Sequence, residues 1–330
     1  MKFNVGMYAG TFSPLHQGHV SSIIQAANQT QELYIVLYVT SMSAELDELV
    51  RYRHLYQLTK HLSHVHLITI DEQSKKSASE HQSVRSVPEQ LVKSLDVIFI
   101  DDKHDTAQQQ LKLLYPKVQL YVLPEHGIKE QELRDHPFVY WDKLSDIVKP
   151  WYTKKVLIIG SESTGKSTLG MNLQHYFNAA YIEEAGRELS FKSGTPDKML
   201  SEDFIEILLR QKINEIEALK QGKKLLLVDT DALITQFYIN FFNDPQAKLN
   251  QALSDAIDGL NRFDLILFLE PDVAFVHDGD RSPLIAAQRQ KYSQMIKDLF
   301  MSHHKSFVSI SGSYQERFEQ AVKLLSKLIS

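Results

Sequence analysis

The stretch from Gly160 to Thr168 constrains the fold of this chain more than any other. It reads G-S-E-S-T-G-K-S-T and matches the pattern G-x-x-x-x-G-K-[ST] at every fixed position. A short apolar strand pattern at 155–159 precedes it, and a helical pattern at 168–177 follows. A glycine-rich turn between a strand and a helix predicts a phosphate-binding loop in an α/β domain.

The loop pattern also predicts individual contacts. The glycines allow a sharp turn, so that successive main-chain N–H groups and the helix N-terminus point at one phosphate. Lys166 would reach the β- and γ-phosphates as a catalytic cation, and the Ser167 hydroxyl would bind Mg²⁺. The alternative is a Gly/Ser turn that binds nothing. The residues expected around the nucleotide are Gly160, Ser163, Thr164, Gly165, Lys166, Ser167 and Thr168.

Composition narrows the class of protein. A length of 330 residues favours about two domains, and 43% apolar with 23% charged residues is ordinary for a globular chain. The net charge of −5 gives no bulk attraction for nucleic acid. The absence of cysteine excludes disulfides, thiolate zinc sites and cysteine nucleophiles. No signal peptide or membrane-spanning pattern is present, so we expect a cytoplasmic protein without a membrane partner.

The N-terminal part of the sequence predicts a second nucleotide site. Strand patterns at 3–9 and 33–39 flank a helical pattern at 20–28, which is a βαβ opening. His16 and His19 stand at the helix start on either side of Gly18, where open α/β sheets bind ligands. Two imidazoles there can hydrogen-bond an α-phosphate and stabilise its charge during transfer.

This loop resembles the G-x-F-x-P-x-H-x-G-H signature of the nucleotidyltransferase superfamily. The matching residues are Gly10, Phe12, Pro14, His16, Gly18 and His19. Members of that superfamily transfer AMP or CMP from a nucleoside triphosphate to a phosphate or phosphonate. The resemblance implies that both histidines are catalytic and contact the triphosphate. It also implies that Gly10, Thr11, Phe12 and Gly18 surround it.

The superfamily's second signature, approximately I-S-x-T-x-I-R, is altered here. Its best match is the stretch 128–134, in which Arg134 is expected to contact the nucleotide. Lys129 and Gln131 replace the small hydroxyl residues, and Glu130 and Glu132 add negative charge. Two hypotheses follow: a domain that transfers AMP, or a sensor that binds a nucleotide without turning it over. For Arg134, an exposed helix arginine is the alternative interpretation.

The second half predicts the remaining parts of a phosphoryl-transfer site. A proline- and aromatic-rich stretch at 137–152 places the boundary near residue 150, giving domains 1–150 and 151–330. Asp229 ends an apolar strand as a Walker B acid should, and would bind Mg²⁺ with Ser167. A base for a substrate hydroxyl, as in nucleoside kinases, could be Glu183 or Glu184, and Glu184 is preferred because it begins the run E-A-G-R-E; a surface carboxylate is the alternative.

Further charged residues of this half are assigned to the nucleotide. Arg187 and Asp231 are expected to lie near it, and Arg281 would supply a catalytic cation from a closing loop, with Arg289 beside it. No N-K-x-D sequence follows the phosphate loop, which disfavours a GTPase. Candidates for stacking on an aromatic ring of the substrate are Tyr181, Phe191 and Tyr238.

The order of these parts resembles the NadR family across nearly the whole chain. The matching motifs are the phosphate loop, the E-x-G-R-E run from Glu184, the D-T-D at 229–231 and the D-G-x-R-S at 278–282. These are bifunctional nicotinamide-mononucleotide adenylyltransferases and ribosylnicotinamide kinases. The resemblance implies two doubly wound parallel-sheet α/β domains, a Rossmann-like HxGH nucleotidyltransferase followed by a P-loop kinase.

The resemblance also implies the ligands. They are ATP and Mg²⁺ as cofactors, with nicotinamide riboside, NMN and NAD as small-molecule partners; other nucleosides and phosphate acceptors are an alternative. Some members carry an N-terminal helix-turn-helix that represses transcription. This chain begins at the adenylyltransferase strand, so we expect no nucleic-acid partner. A homo-oligomer is left open.

Overall fold

Two parallel β-sheets organise the chain, one in each half. The computed structural model describes residues 2–39, 47–71, 94–101, 115–124, 126–194, 198–276 and 283–330. These divide into two compact units, Met1–Lys149 and Pro150–Ser330. No helix among the described residues is long and apolar enough to cross a membrane.

The first unit is a five-stranded parallel sheet with strand order β3-β2-β1-β4-β5. Strands β1 and β2 are buried because their apolar residues face helices or core on both sides, as in other parallel sheets. Its elements are β1 (Phe3–Gly10), α1 (Gln17–Gln29), β2 (Thr30–Val39), α2 (Glu48–Thr59), β3 (Val65–Asp71), β4 (Val97–Ile100), β5 (Gln119–Val122) and α3 (Glu130–Asp135), followed by a 3₁₀ turn at Trp141–Lys143.

The second unit is also a five-stranded parallel sheet, with strand order β10-β9-β6-β8-β7. Its elements are α4 (Lys149–Tyr152), β6 (Lys154–Ile159), α5 (Lys166–Phe177), β7 (Ala180–Ile182), α6 (Ala185–Ser193), α7 (Ser201–Leu219), β8 (Leu225–Asp229), α8 (Ala232–Phe241), α9 (Ala247–Leu260), β9 (Leu265–Leu269), α10 (Pro283–Ala287), α11 (Arg289–Ser302), β10 (Val308–Ile310) and α12 (Tyr314–Leu328).

Alternation along β6 divides the core of the second unit into two layers. Leu157 and Ile159 pack with α8 and α11 on one face, whereas Val156 and Ile158 pack with α5 and α12 on the other. All four side chains are fully buried. Each such side chain contributes roughly 1.5–3 kcal/mol through the removal of apolar surface from water. Helices therefore cover both faces, and the predicted doubly wound α/β class is confirmed for both units.

The strand order fixes where ligands can bind. In each sheet the first strand, β1 or β6, is central, with later strands added on both of its sides. A crevice opens beyond the carboxyl end of such a strand, because the connections leave it in opposite directions. The loop at 11–16 follows β1 and the loop at 160–165 follows β6, so each predicted motif lies at the crevice of its own sheet.

Candidate active sites

The loop after β1 is shaped by an aromatic side chain beneath it. Phe12 has a positive φ of 49°, and its ring is buried and meets the His19 ring edge-on at 5.0 Å. A Cβ on Gly10 would stand 3.2 Å from the Phe12 ring, tighter than most such contacts. Glycine at position 10 therefore lets the ring fold back against the strand and support the histidine.

The two histidines form a stacked pair at the start of α1. Nδ1 of His16 caps the helix by accepting the His19 N–H at 3.2 Å, and the two ring centroids lie 3.6 Å apart at 19°. A Cβ on Gly18 would stand 2.9 Å from Cε1 of His16, so glycine is needed for this packing. The signature spacing thus builds a helix cap and the ring pair together.

Burial keeps both imidazoles neutral at neutral pH. It lowers the pKa of His16 from 6.5 to about 4, with a further contribution from the charge of His126. Burial also lowers the pKa of His19 well below 6.5, followed by the effects of His16 and His126. Neutral imidazoles can donate a hydrogen bond to a phosphate oxygen without carrying a buried charge.

The Glu130 carboxylate also lies in this site, and the sequence analysis predicted no contact for it. Glu130 Oε2 accepts a hydrogen bond from Thr11 Oγ1 at 2.9 Å and lies 3.4 Å from Arg134 Nη1. Its other oxygen lies 3.3 Å from His19 Nε2. Burial raises the pKa of Glu130, an effect that hydrogen bonds from Thr11 and the charge of Arg134 oppose.

Of the charged residues in the altered second signature, Glu130 lies in the site and Lys129 lies outside it. The Lys129 side chain is 78% exposed and pairs with Glu132 at 3.4 Å, away from the histidines. Arg134 is directed inward, donating to the Ser13 carbonyl at 2.5 Å and to Gln131 Oε1 at 2.8 Å. The extra charge in the site belongs to Glu130 and not to Lys129. An exposed Arg134 is excluded, since its side chain is 21% exposed.

The phosphate loop of the second unit has the backbone that its glycines require. Gly160 has φ 151°, and a Cβ there would stand 2.7 Å from the Leu269 carbonyl oxygen of β9. Gly165 has φ 85° and caps α5, while Ser163 takes a positive φ of 60° without being glycine. Thr164 Oγ1 holds the turn by donating to the Ser161 carbonyl at 2.9 Å.

The Ser167 end of the loop faces Asp229, the predicted Walker B acid. Ser167 Oγ donates to Asp229 Oδ2 at 2.7 Å, because β8 pairs directly with β6. Oδ1 of Asp229 is buried and has no hydrogen-bond partner among the described residues. A hydroxyl and a carboxylate with a spare buried oxygen fit Mg²⁺, which prefers oxygen ligands. Lys166 Nζ lies 3.1 Å from the Gly160 carbonyl and 3.2 Å from that of Ser161.

A cavity of about 440 Å³ brings several predicted residues of the second unit together. The phosphate loop forms one side, and Glu184 and Arg187 of the α6 region form another. Arg187 Nη2 donates to Ser167 Oγ at 3.1 Å, which ties α6 to the loop. Opposite them lies a wall of apolar and aromatic side chains. The residues of this wall are Met199, Phe204, Ile207, Ile234, Tyr238 and Phe242.

Not all predicted residues of this unit line the cavity. Arg289 lies outside the cavity lining and donates to the carbonyls of Val273 and Ser163 at 2.8 and 3.1 Å. Asp231 caps α8, and burial raises its pKa to about 7. Phe191 is 82% exposed. Arg281 lies outside the described residues, together with the rest of the D-G-x-R-S motif.

Two buried arginines were missed by the sequence analysis. Arg51 Nη1 donates to the carbonyls of Thr11 at 2.8 Å and Tyr38 at 3.1 Å, which braces the loop after β1. Arg317 Nη1 donates to the Thr164 carbonyl at 2.5 Å, which braces the phosphate loop. Neither arginine belongs to a recognisable motif, so no pattern in the sequence indicated these contacts.

Comparison with known proteins agrees with the two halves. A family model described as cytidylyltransferase-like matches residues 7–164, and one described as an AAA domain matches 155–317. The curated protein "Trifunctional NAD biosynthesis/regulator protein NadR" of Salmonella typhimurium is 28% identical, covering 99% of this chain and 83% of that protein. The Escherichia coli protein of the same name is 27% identical, covering 99% and 84%.

Solved structures share the fold over both units. A NadR protein in complex with NR has a TM-score of 0.81 at 20% identity, covering 99% of this chain and 96% of that one. A NadR protein in complex with NAD and AMP-PNP has a TM-score of 0.77 at the same identity and coverage. Sheet order, site geometry and these matches define a two-domain transferase, with a nucleotidyltransferase unit followed by a P-loop kinase unit. Over nearly its whole length the chain is similar to the curated NadR proteins.

Proposed function

We propose that this chain makes NAD by two consecutive transfers from ATP. The second unit phosphorylates the 5′-hydroxyl of nicotinamide riboside, and the first joins the resulting NMN to AMP with release of pyrophosphate. The observation that carries the kinase half is the contact of Ser167 with Asp229 beside a cavity that Glu184 also lines. Similarity to the curated NadR proteins over 99% of the chain supports both halves.

In the kinase unit the chain supplies positioning, charge and a proton acceptor. Ser167 and Asp229 would hold Mg²⁺, which neutralises charge on the β- and γ-phosphates. Lys166 and the loop N–H groups bind the same phosphates. Glu184 accepts the proton of the 5′-hydroxyl as its oxygen bonds to the γ-phosphorus and ADP leaves. Arg187 lies 3.1 Å from Ser167 and can neutralise charge on the transferred group.

The apolar wall of the cavity is the proposed site of the nicotinamide ring. Tyr238 and Phe242 stack at 5.9 Å and 16°, which presents flat aromatic surface on α8 to the cavity. A cationic pyridinium ring is attracted to aromatic faces. Tyr181 is not placed there, because its hydroxyl contacts Asp229 at 3.1 Å.

In the nucleotidyltransferase unit no covalent intermediate is required. The NMN phosphate oxygen attacks the α-phosphorus of ATP, and the bond to pyrophosphate breaks in the same transfer. The N–H groups of His16 and His19 would stabilise charge on the α-phosphate, and Arg134 would bind the departing pyrophosphate. The two neutral imidazoles suit this role, since each can donate a hydrogen bond to the phosphate without a change in its own charge.

Paired variants test the division of labour. Lys166→Ala should abolish ADP formation from ATP and nicotinamide riboside while leaving NAD formation from NMN and ATP intact. His19→Ala should have the opposite effect. Thermal unfolding of each variant checks that it is folded. Loss of both activities in either folded variant, or of neither, would refute the assignment.

A sensor is the second candidate for the first unit, favoured by the position of Glu130 beside His19. In that case the unit binds NMN or NAD without chemistry and regulates the kinase. Incubation with NMN, ATP and Mg²⁺ distinguishes the two, because accumulation of NAD eliminates the sensor. A panel of nucleosides in a coupled ADP assay tests whether nicotinamide riboside is the preferred kinase substrate.

A further inference from the structure

Glu130 contacts the same groups that the incoming triphosphate would need. Its carboxylate lies 2.9 Å from Thr11 Oγ1, 3.3 Å from His19 Nε2 and 3.4 Å from Arg134 Nη1. Hydroxyl, imidazole and guanidinium donors bind carboxylate and phosphate oxygens alike. The Glu130 side chain is 25% exposed, so much of its charge is compensated by these donors and not by water.

The Glu130 carboxylate stands beside Nε2 of His19, with Oε1 at 3.3 Å. An ionised carboxylate only accepts hydrogen bonds, so it favours the tautomer of His19 in which Nε2 carries the hydrogen. Nδ1 of His19 is then the acceptor nitrogen, and it is buried without a hydrogen-bond partner among the described residues. In that tautomer the single ring N–H of His19 lies beside Glu130, where a phosphate oxygen would have to approach it.

A metal ion is a poorer explanation of the same group. Donor atoms of His16, His19 and Glu130 all lie within 4.8 Å of one another, the arrangement of a three-ligand site. The two rings, however, are stacked at 3.6 Å and 19°, so their in-plane lone pairs run side by side and do not converge. Nδ1 of His16 is moreover occupied by the His19 N–H.

We propose that Glu130 is an internal competitor of the triphosphate, which must displace this carboxylate before AMP can be transferred. The residue thereby sets the ATP concentration that adenylyl transfer requires. Lys166 of the other unit donates to main-chain carbonyls and contacts no carboxylate among the described residues, so only adenylyl transfer would be restrained in this way. This inference rests on the proposed adenylyl transfer.

The test compares Glu130→Gln with Glu132→Gln. Both remove one negative charge from α3, but Glu132 pairs with Lys129 away from the histidines. In NAD formation from NMN, Glu130→Gln should lower the KM for ATP roughly ten-fold, the effect of removing one nearby like charge, with little change in kcat. Glu132→Gln should match the wild type. An unchanged or higher KM in Glu130→Gln would overturn the proposal.

A binding measurement keeps the proposal testable if no protein makes NAD. In a Lys166→Ala background, which weakens the kinase site, calorimetric titration with AMP-PNP should show tighter binding after Glu130→Gln and no change after Glu132→Gln. Tighter binding after Glu130→Gln in a protein that makes no NAD would refute the proposed adenylyl transfer. It would still support Glu130 as a competitor of the triphosphate. Glu130→Ser serves as a second variant if the glutamine form unfolds. Stoichiometric zinc in the wild type that is lost in Glu130→Gln would instead establish a metal site and overturn the proposal.

Discussion

Tyr181 donates its phenolic hydrogen to Oδ2 of Asp229 at 3.1 Å, and the same oxygen accepts the Ser167 hydroxyl at 2.7 Å. Burial, followed by the charge of Asp229, raises the pKa of Tyr181, so the phenol stays a donor at any working pH. The proposed magnesium-binding carboxylate is thus held from strand β7 as well as from the phosphate loop.

Tyr181→Phe should weaken the use of Mg²⁺ by the kinase. The ring and its packing remain, while the hydrogen bond that orients Asp229 is lost, at a cost on the order of 1 kcal/mol. We expect a several-fold rise in the Mg²⁺ concentration needed for half-maximal ADP formation, with kcat at saturating Mg²⁺ nearly retained. Tyr176→Phe, at a 61% exposed position on α5, is the matched control and should leave the Mg²⁺ requirement unchanged.

Gly170→Ala should disturb the same carboxylate from the other side of Tyr181. A Cβ at position 170 would stand 2.6 Å from Tyr181 Cε2, so the ring must shift. Alanine in a helix interior normally stabilises by roughly 0.5–1 kcal/mol relative to glycine. Here we expect a lower midpoint of thermal unfolding together with the Mg²⁺ defect of Tyr181→Phe.

Gly259→Ala is the control for that substitution. Gly259 lies in helix α9, and nothing stands within 4 Å of a Cβ built there. The same change should therefore raise the unfolding midpoint and leave kinase activity unaltered. A Gly170→Ala variant that is as stable and as active as Gly259→Ala would show that the Tyr181 ring is not fixed by this contact.

The sequence predicted the two sheets and the two site loops because their requirements are local. The sharp turn at Gly160 needs a residue without a Cβ, and the helix cap formed by His16 needs a fixed spacing to His19. Both requirements therefore leave patterns in the sequence. Contacts between distant segments leave none. Glu130 reaches His19 and Tyr181 reaches Asp229 through the tertiary fold. Tyr181 was one of three candidates for stacking on the nicotinamide ring, and the contact of its hydroxyl with Asp229 does not support that interpretation.

Arg317→Met should destabilise the second unit and loosen its phosphate loop. The guanidinium is 1% exposed and donates to the carbonyls of Thr164, Glu270 and Gly312 and to the carboxylate of Asp272. Methionine has a similar length but no donor, so buried acceptors would be left unsatisfied. We expect the free energy of unfolding in urea to fall by roughly 3 kcal/mol or more, and ATP to bind the kinase site more weakly.

Lys323→Met provides the comparison on the same helix. Lys323 is exposed on α12, so the loss of its charge should change the free energy of unfolding by less than about 0.5 kcal/mol. If Arg317→Met were no less stable than Lys323→Met, the buried arginine would not brace the loop.

His16→Asn should reduce the acid sensitivity of the fold. The pKa of His16 is about 4 in the folded chain against 6.5 normally, so the unfolded chain binds a proton first as the pH falls. The resulting loss of stability begins near pH 6.5, is complete near pH 4, and amounts to about 3 kcal/mol for this group. Asparagine also caps helices well and does not titrate, so the cap is kept and the loss is removed.

Urea unfolding at intervals between pH 7 and pH 4 measures the difference between wild type and His16→Asn. Near pH 7 the free energies of unfolding of the two proteins should change with pH at similar rates. Below pH 6.5 the two curves should diverge steadily, because the variant loses less stability. His175→Asn, at an exposed position on α5, should follow the wild type throughout. Parallel curves for wild type and His16→Asn would mean that the His16 imidazole gains a proton as readily in the folded chain as in the unfolded one, and that its stacking on His19 does not exclude charge.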